Sequence, residues 1–321
     1  NDGKWLECIF HKNDGYLTPL VMVPFRDENG NIDRENEDSL AKQRLSTLAI
    51  LFESQGLSFS DNFHPKQLIY RFNPRSKDYY WEKTKEAIVS KKAIDLFLSC
   101  FDYGPNCKLK EKKDFVISSI KNVLNPGKRG GGLCIRIKAA WDSYLKEESL
   151  LSANYEKYNK NVKEAISNYL TYKTLKICFT YPSYGQLIIP TNLIIQSSHV
   201  SEITGAVRHI IKNLDTMAIK DLILHIISTE NSSHITQKIR QCLTFVSRDY
   251  YKTRIQARPH SCFINDNGEN SFLAENYAID KKLHGAEREK SGYQTYEEVF
   301  LRMPPPFFDY ELLFRQGKSE E

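Results

Sequence analysis

Residues 175–190 read Leu-Lys-Ile-Cys-Phe-Thr-Tyr-Pro-Ser-Tyr-Gly-Gln-Leu-Ile-Ile-Pro, and what this stretch becomes decides the fold. Two runs of apolar, β-branched and aromatic side chains flank Pro182-Ser183-Tyr184-Gly185, a cluster of turn-forming residues. The pattern predicts two strands, Leu175 to Tyr181 and Gln186 to Pro190, paired as a central hairpin. The same region belongs to the longest uncharged stretch of the chain, from Ile177 to Ser201. That stretch is long enough to cross a bilayer, but Pro182, Gly185, Pro190, Gln186, Asn192 and Gln196 interrupt it. A buried hairpin is expected, and no membrane contact.

Upstream, Leu133, Ile137, Ala140, Trp141, Tyr144 and Leu145 recur at helical spacing, and a second helix is predicted from Tyr155 to Tyr172. Further back, Asn13-Asp14-Gly15 separates two apolar runs, Lys4 to His11 and Tyr16 to Pro24, which predicts a first hairpin. An acidic loop covers Arg26 to Asp38, and Ser39 is placed to cap a helix that Gly56 ends. A strand over Leu68 to Phe72, a long helical stretch from Lys77 to Cys100 and a helix from Asp114 to Leu124 complete this half.

Downstream, helices are predicted at Ser201 to Leu214, Met217 to Ser228 and His234 to Asp249, followed by strands at Arg254 to Ile264 and Ser271 to Ile279. Three helices and then a hairpin is the element order of a winged helix-turn-helix. The expected fold class is therefore α+β, mostly helical, with three β-hairpins and a C-terminal part resembling a winged helix. The irregular segment Gly127-Lys128-Arg129-Gly130-Gly131-Gly132 marks the expected boundary between an N-terminal α+β domain, 1–130, and a helical domain, 131–321.

The chain has 321 residues, 40% of them hydrophobic, with 45 Lys and Arg against 40 Asp and Glu. That composition excludes a disordered tail, a collagen and a coiled coil. Seven cysteines without one C-x-x-C argue against a disulfide framework and a four-ligand zinc site. Several sit in apolar runs, as Cys134 and Cys178 do, where a thiol behaves as a small hydrophobe. An intracellular compartment is expected, cytoplasmic, nucleoid or nuclear. The first residue is Asn rather than Met, which leaves the native start open.

Three constellations point to function. From Lys108 to Lys138, nine basic and two acidic residues give +7, more than the +5 of the whole chain. Lys112, Lys113, Lys128, Arg129, Arg136 and Lys138 in this window are candidate phosphate contacts, because cations aligned on a nucleic acid release its counterions. The glycine loop fits neither a P-loop nor a dinucleotide fingerprint. A solvated surface loop is the alternative.

On the predicted helix from His234 to Asp249, Ile235, Ile239, Cys242, Leu243 and Val246 form the inner face, leaving Gln237, Arg240, Gln241 and Arg248 outward. Gln and Arg are the side chains that pair with base edges in a major groove, so this helix is a candidate reader of duplex DNA. Finally, Asp266 and the Asp280-x-Lys282 pair resemble the Asp…(Asp/Glu)-x-Lys core of metal-dependent nucleases. Asp266 and Asp280 would there hold Mg²⁺, and Lys282 would position water.

The expectation is a nucleic-acid-binding protein, a subunit of a larger assembly, with no cofactor or with Mg²⁺ if it is a nuclease. Pro304-Pro305-Pro306 and the aromatic residues after it are expected to pack across the domain, with docking of a protein partner as the alternative, and a pure interaction scaffold is the third functional reading.

Overall fold

The computed structural model describes residues 34–54, 63–99, 101–102, 114, 117–118, 121, 132–188, 195–196, 201–202, 205–206, 208–209, 216–228, 233–247 and 295–316. Helices dominate them. The chain forms two compact units, each assembled from separated segments: Asn1–Arg71, Arg258–Pro304 and Tyr310–Glu321 in one, Phe72–Ala257 and Pro305–Asp309 in the other. The boundary expected near residue 130 falls outside the described residues.

In the first unit, α1 (Arg34–Ser54) packs against α10 (Tyr296–Arg302). The acidic loop of the sequence reading is in part helix, since residues 34–38 fall within α1. α10 opens with a full capping box, in which Thr295 accepts from the Glu298 amide and the Glu298 carboxylate accepts from the Thr295 amide. A two-stranded sheet joins β1 (Phe63–Phe72) to β4 (Phe308–Gln316).

The second unit is built around one helix. α6 (Lys160–Thr180) starts where the Asn159 side chain accepts from the Val162 amide at 3.0 Å, satisfying a donor that the first turn leaves without a partner. It is then buried on nearly every side. α2 (Ser76–Ile88), α3 (Lys91–Leu98), α4 (Leu133–Glu147), α7 (Pro182–Ile188) and α9 (Gln237–Ser247) all pack on it, and α5 (Ser149–Tyr155) bridges α4 to α9. α8 (Thr216–Ile227) lies against α4 and α7. A short parallel pairing sets β2 (Phe101–Asp102) beside β3 (Ile195–Gln196).

Trp141, Tyr169, Phe97, Phe245 and Phe307 are the largest side chains removed from water, each stabilising by about 1.5–3 kcal/mol. Two of the polar groups buried among them donate to backbone carbonyls: the Thr171 hydroxyl to that of Ser167 at 2.7 Å, and the Asn168 amide to that of Lys77 at 2.9 Å.

The α+β expectation with three hairpins does not hold. Residues 175–180 are the last turns of α6, and 182–188 are α7. The helix begun at Asn159 runs on because Tyr169, Leu170, Thr174, Leu175, Ile177 and Cys178 keep its packed sides facing its neighbours, and tertiary packing overrides local strand preference. Pro182 then separates the two helices instead of closing a hairpin. It cannot donate to a continuing helix, it pushes Tyr181 into extended geometry (φ −115°, ψ 116°), and it suits the first position of α7. Gly185 has a packing role, since a Cβ there would stand 2.9 Å from the Cys178 carbonyl oxygen.

The hairpins expected at 4–24 and 254–279 lie outside the described residues. What strand there is pairs segments far apart in sequence, so no winged helix with its sheet is present among the described residues. The predicted helix from Lys77 to Cys100 is two helices, broken where Ser90 caps α3 by accepting from the Ala93 amide. Among the described residues no helix is long and apolar enough to cross a membrane. Cys134, Cys178 and Cys242 are buried and free, as their apolar neighbours predict.

The aromatic stretch after the triple proline is part of the packing. Phe307 meets Tyr169 edge-on at 5.6 Å between centroids, Phe308 lies 4.9 Å from Phe245, and the Phe307 carbonyl accepts from the Asn73 amide at 3.1 Å. Pro304 and Pro305 are buried; only Pro306 of the three is exposed.

Candidate nucleic-acid interface

The most chemically loaded surface of the second unit lies along α2 and α6. On α6, Tyr169, Tyr172, Lys173 and Lys176 follow at i, i+3, i+4 and i+7 and so share one face. On α2, Tyr79 and Lys83 stand one turn apart, with Tyr80 turned inward. Tyr80 joins the two sets: its ring meets Tyr169 edge-on at 4.9 Å, lies 6.0 Å from Tyr172 and 5.0 Å from Tyr79.

Four ammonium–ring contacts decorate this seam. Lys173 Nζ sits 5.5 Å from the Tyr169 centroid and 5.3 Å from that of Tyr172, Lys176 Nζ is 5.9 Å from Tyr172, and Lys83 Nζ is 5.7 Å from Tyr79. Lys83 also binds Glu86 at 2.9 Å, and that hydrogen bond raises its pKa. The other two lysines differ. Among the described residues no carboxylate pairs with Lys173 or Lys176, and residues 169–180 contain no acid. Burial, with repulsion from Lys176 acting in the same direction, lowers the Lys173 pKa to about 8. Burial raises the Tyr172 phenol, and it raises the fully buried Tyr169 phenol well above its usual value; the Tyr169 hydroxyl has no hydrogen-bond partner among the described residues.

The residues singled out in the sequence are distributed differently. Arg136 and Lys138 lie half-buried on α4. Burial lowers the Lys138 pKa, while the charges of Asp142 and Glu164 act in the opposite direction, so this lysine already has counter-charges. Gln237, Arg240 and Gln241 lie on α9, where no residue is exposed. Gln241 is completely buried, and Arg240 Nη2 donates to the Ser233 carbonyl at 3.2 Å, tying down the segment that enters the helix. Lys112, Lys113, Lys128, Arg129, Arg248, Asp266, Asp280 and Lys282 lie outside the described residues. Among the described residues no group of three or more His, Cys, Asp or Glu could hold a metal ion.

A second polar cluster joins α4, α5 and α6. Ser167 donates to the Asp142 carboxylate, and the Tyr155 hydroxyl reaches both Asp142 and Ser167 at 3.5 Å. These hydrogen bonds fasten the three helices to one another.

The tyrosine–lysine seam was missed in the sequence because attention went to the densest window of basic charge. The legible signal was the heptad-like Tyr169, Tyr172, Lys173, Lys176 series, which places cations and rings on one helical face without an acid. Comparisons with protein-family models, with curated proteins and with solved structures found no match.

Proposed function

We propose that this protein binds nucleic acid, with Lys173 and Lys176 on phosphates and the basic segment from Lys108 to Lys138 as further cationic contact. The observation that supports this reading is the pair of ammonium groups sharing the Tyr172 ring with no carboxylate partner among the described residues. Two uncompensated cations held on a rigid ring repel one another, and a phosphate group relieves that repulsion. The rings also restrict the flexible lysine stems, so less side-chain entropy is lost on binding. Such a role belongs to an intracellular compartment and to a subunit of a larger assembly.

The test is affinity for duplex and single-stranded DNA measured against salt. The wild-type protein should lose affinity steeply as salt rises, and Lys173→Gln with Lys176→Gln should flatten the slope by about one to two units. Lys128→Ala with Arg129→Ala should flatten it likewise. Salt-independent binding, or an unchanged slope in the α6 double variant, removes the seam from the interface.

A scaffold role is favoured by one observation: Ile135 on α4, Leu187 on α7 and Leu224 on α8, the helix that packs on both, are 42%, 40% and 52% exposed. Concentration-dependent sedimentation that Leu224→Glu abolishes would support it. The nuclease reading rests on Asp266, Asp280 and Lys282 alone; Asp280→Ala should abolish Mg²⁺-dependent cleavage if it is right.

A further inference from the structure

We propose that Lys173 is a nucleophilic amine that condenses with aldehydes carrying an anionic group, forming an imine on α6. Three features place the reactivity there. The Lys173 stem is partly buried, which withholds the water that an ammonium ion needs, and its Nζ stands 5.5 Å and 5.3 Å from the ring centroids of Tyr169 and Tyr172. Lys176 adds a like charge at the same ring. No carboxylate or other hydrogen-bond acceptor holds the Lys173 proton among the described residues.

A desolvated lysine beside a second cation is the arrangement that frees an amine for attack near neutral pH, and the lowered Lys173 pKa of about 8 agrees with it. The other titratable groups facing the cluster leave this balance intact: Tyr80 and Cys242 are buried with raised pKa values, and Lys83 is neutralised by Glu86. Lys176, exposed and without a carboxylate partner, supplies the charge that draws an anionic aldehyde in.

In the reaction the Nζ lone pair forms a C–N bond as the carbonyl π pair moves to oxygen. Proton transfer from nitrogen to oxygen, with solvent as carrier, gives the carbinolamine, and loss of water leaves the imine. Amine and aldehyde give imine and water with no change of oxidation state.

The inference stands apart from nucleic-acid binding, because it is read on the unliganded protein. Pyridoxal 5′-phosphate at substoichiometric amounts, trapped with cyanoborohydride and mapped by peptide mass spectrometry, should place the adduct on Lys173 at least about tenfold over the exposed Lys91, Lys92, Lys160 and Lys176. Labelling should rise with pH and level off above about 8. Pyridoxal, lacking the phosphate, should label Lys173 more slowly, and Lys176→Gln should erase that preference. Adducts spread evenly over the lysines overturn the proposal, and equal rates with the two aldehydes overturn the anionic substrate class. Lys173→Arg, which keeps the charge, should remove the adduct while leaving the circular dichroism spectrum unchanged.

Discussion

The indole Nε1 of Trp141 donates to Oγ1 of Thr174 at 3.0 Å, joining α4 to α6 across 33 residues with both side chains fully buried. Replacing Thr174 by Val keeps the shape and removes the acceptor, so the indole N–H is left buried without its partner. The expected cost is about 1–3 kcal/mol, read as a lower urea midpoint with an unchanged slope. Thr174→Ser, which keeps the hydroxyl, should recover most of it. A Val variant as stable as the wild type would show that the hydrogen bond contributes nothing.

Gly185→Ala should destabilise even though alanine is the better helix former. The added Cβ would lie 2.9 Å from the Cys178 carbonyl oxygen, which belongs to the backbone of α6, and 3.0 Å from a Leu96 methyl. Overpacking of this kind costs about 1–3 kcal/mol, against a propensity gain of about 1 kcal/mol. Thermal unfolding checks the sign, and a raised midpoint would contradict the argument.

Asn159→Ala removes the acceptor at the head of α6 and should cost about 1 kcal/mol, whereas Asn159→Asp should be nearly neutral. Because α6 is packed by five other helices, the loss should appear in global unfolding. Hydrogen exchange that quickens only at Val162 would instead limit the effect to local fraying.

Lys173 gives stability a definite pH dependence. Its folded pKa of about 8 is below the unfolded 10.5, so below pH 8 both states hold the proton and the folded state bears the full cost of the buried charge. Between the two values the unfolded chain binds more protons than the folded one, and stability rises with pH. Lys173→Met should therefore be more stable than the wild type at pH 7, by a margin that shrinks as pH approaches 10.5. A margin constant across that window would mean that Lys173 titrates normally.

Most helices were legible in the sequence. Leu133, Ile137, Ala140, Trp141 and Leu145 are buried on α4 as their spacing predicts, and the helix expected at Met217 to Ser228 is Thr216–Ile227. The stretch 175–190 was misread because its local composition favours strand while the decision is made by contacts to α2, α3 and α4, which no window of sequence contains. Pro182 and Gly185 carried the opposite meaning for the same reason: either residue suits a turn, and here they start a helix and admit a neighbouring backbone. The site was less legible still. Charge density marks where cations are many, whereas Lys173 and Lys176 stand out because no carboxylate pairs with them among the described residues.

Phe307 meets Tyr169 edge-on, yet it is synthesised only after all of residues 72–257. Vectorial synthesis therefore delivers the second unit with an open socket beside its central helix, and closure waits for residues 305–309. Polypeptides stalled before Pro305 should remain sensitive to protease around α6, and those extended past Asp309 and clear of the exit tunnel should become resistant. Burying a segment encoded downstream of the rest makes synthesis of residues 305–309 a precondition for closing this core.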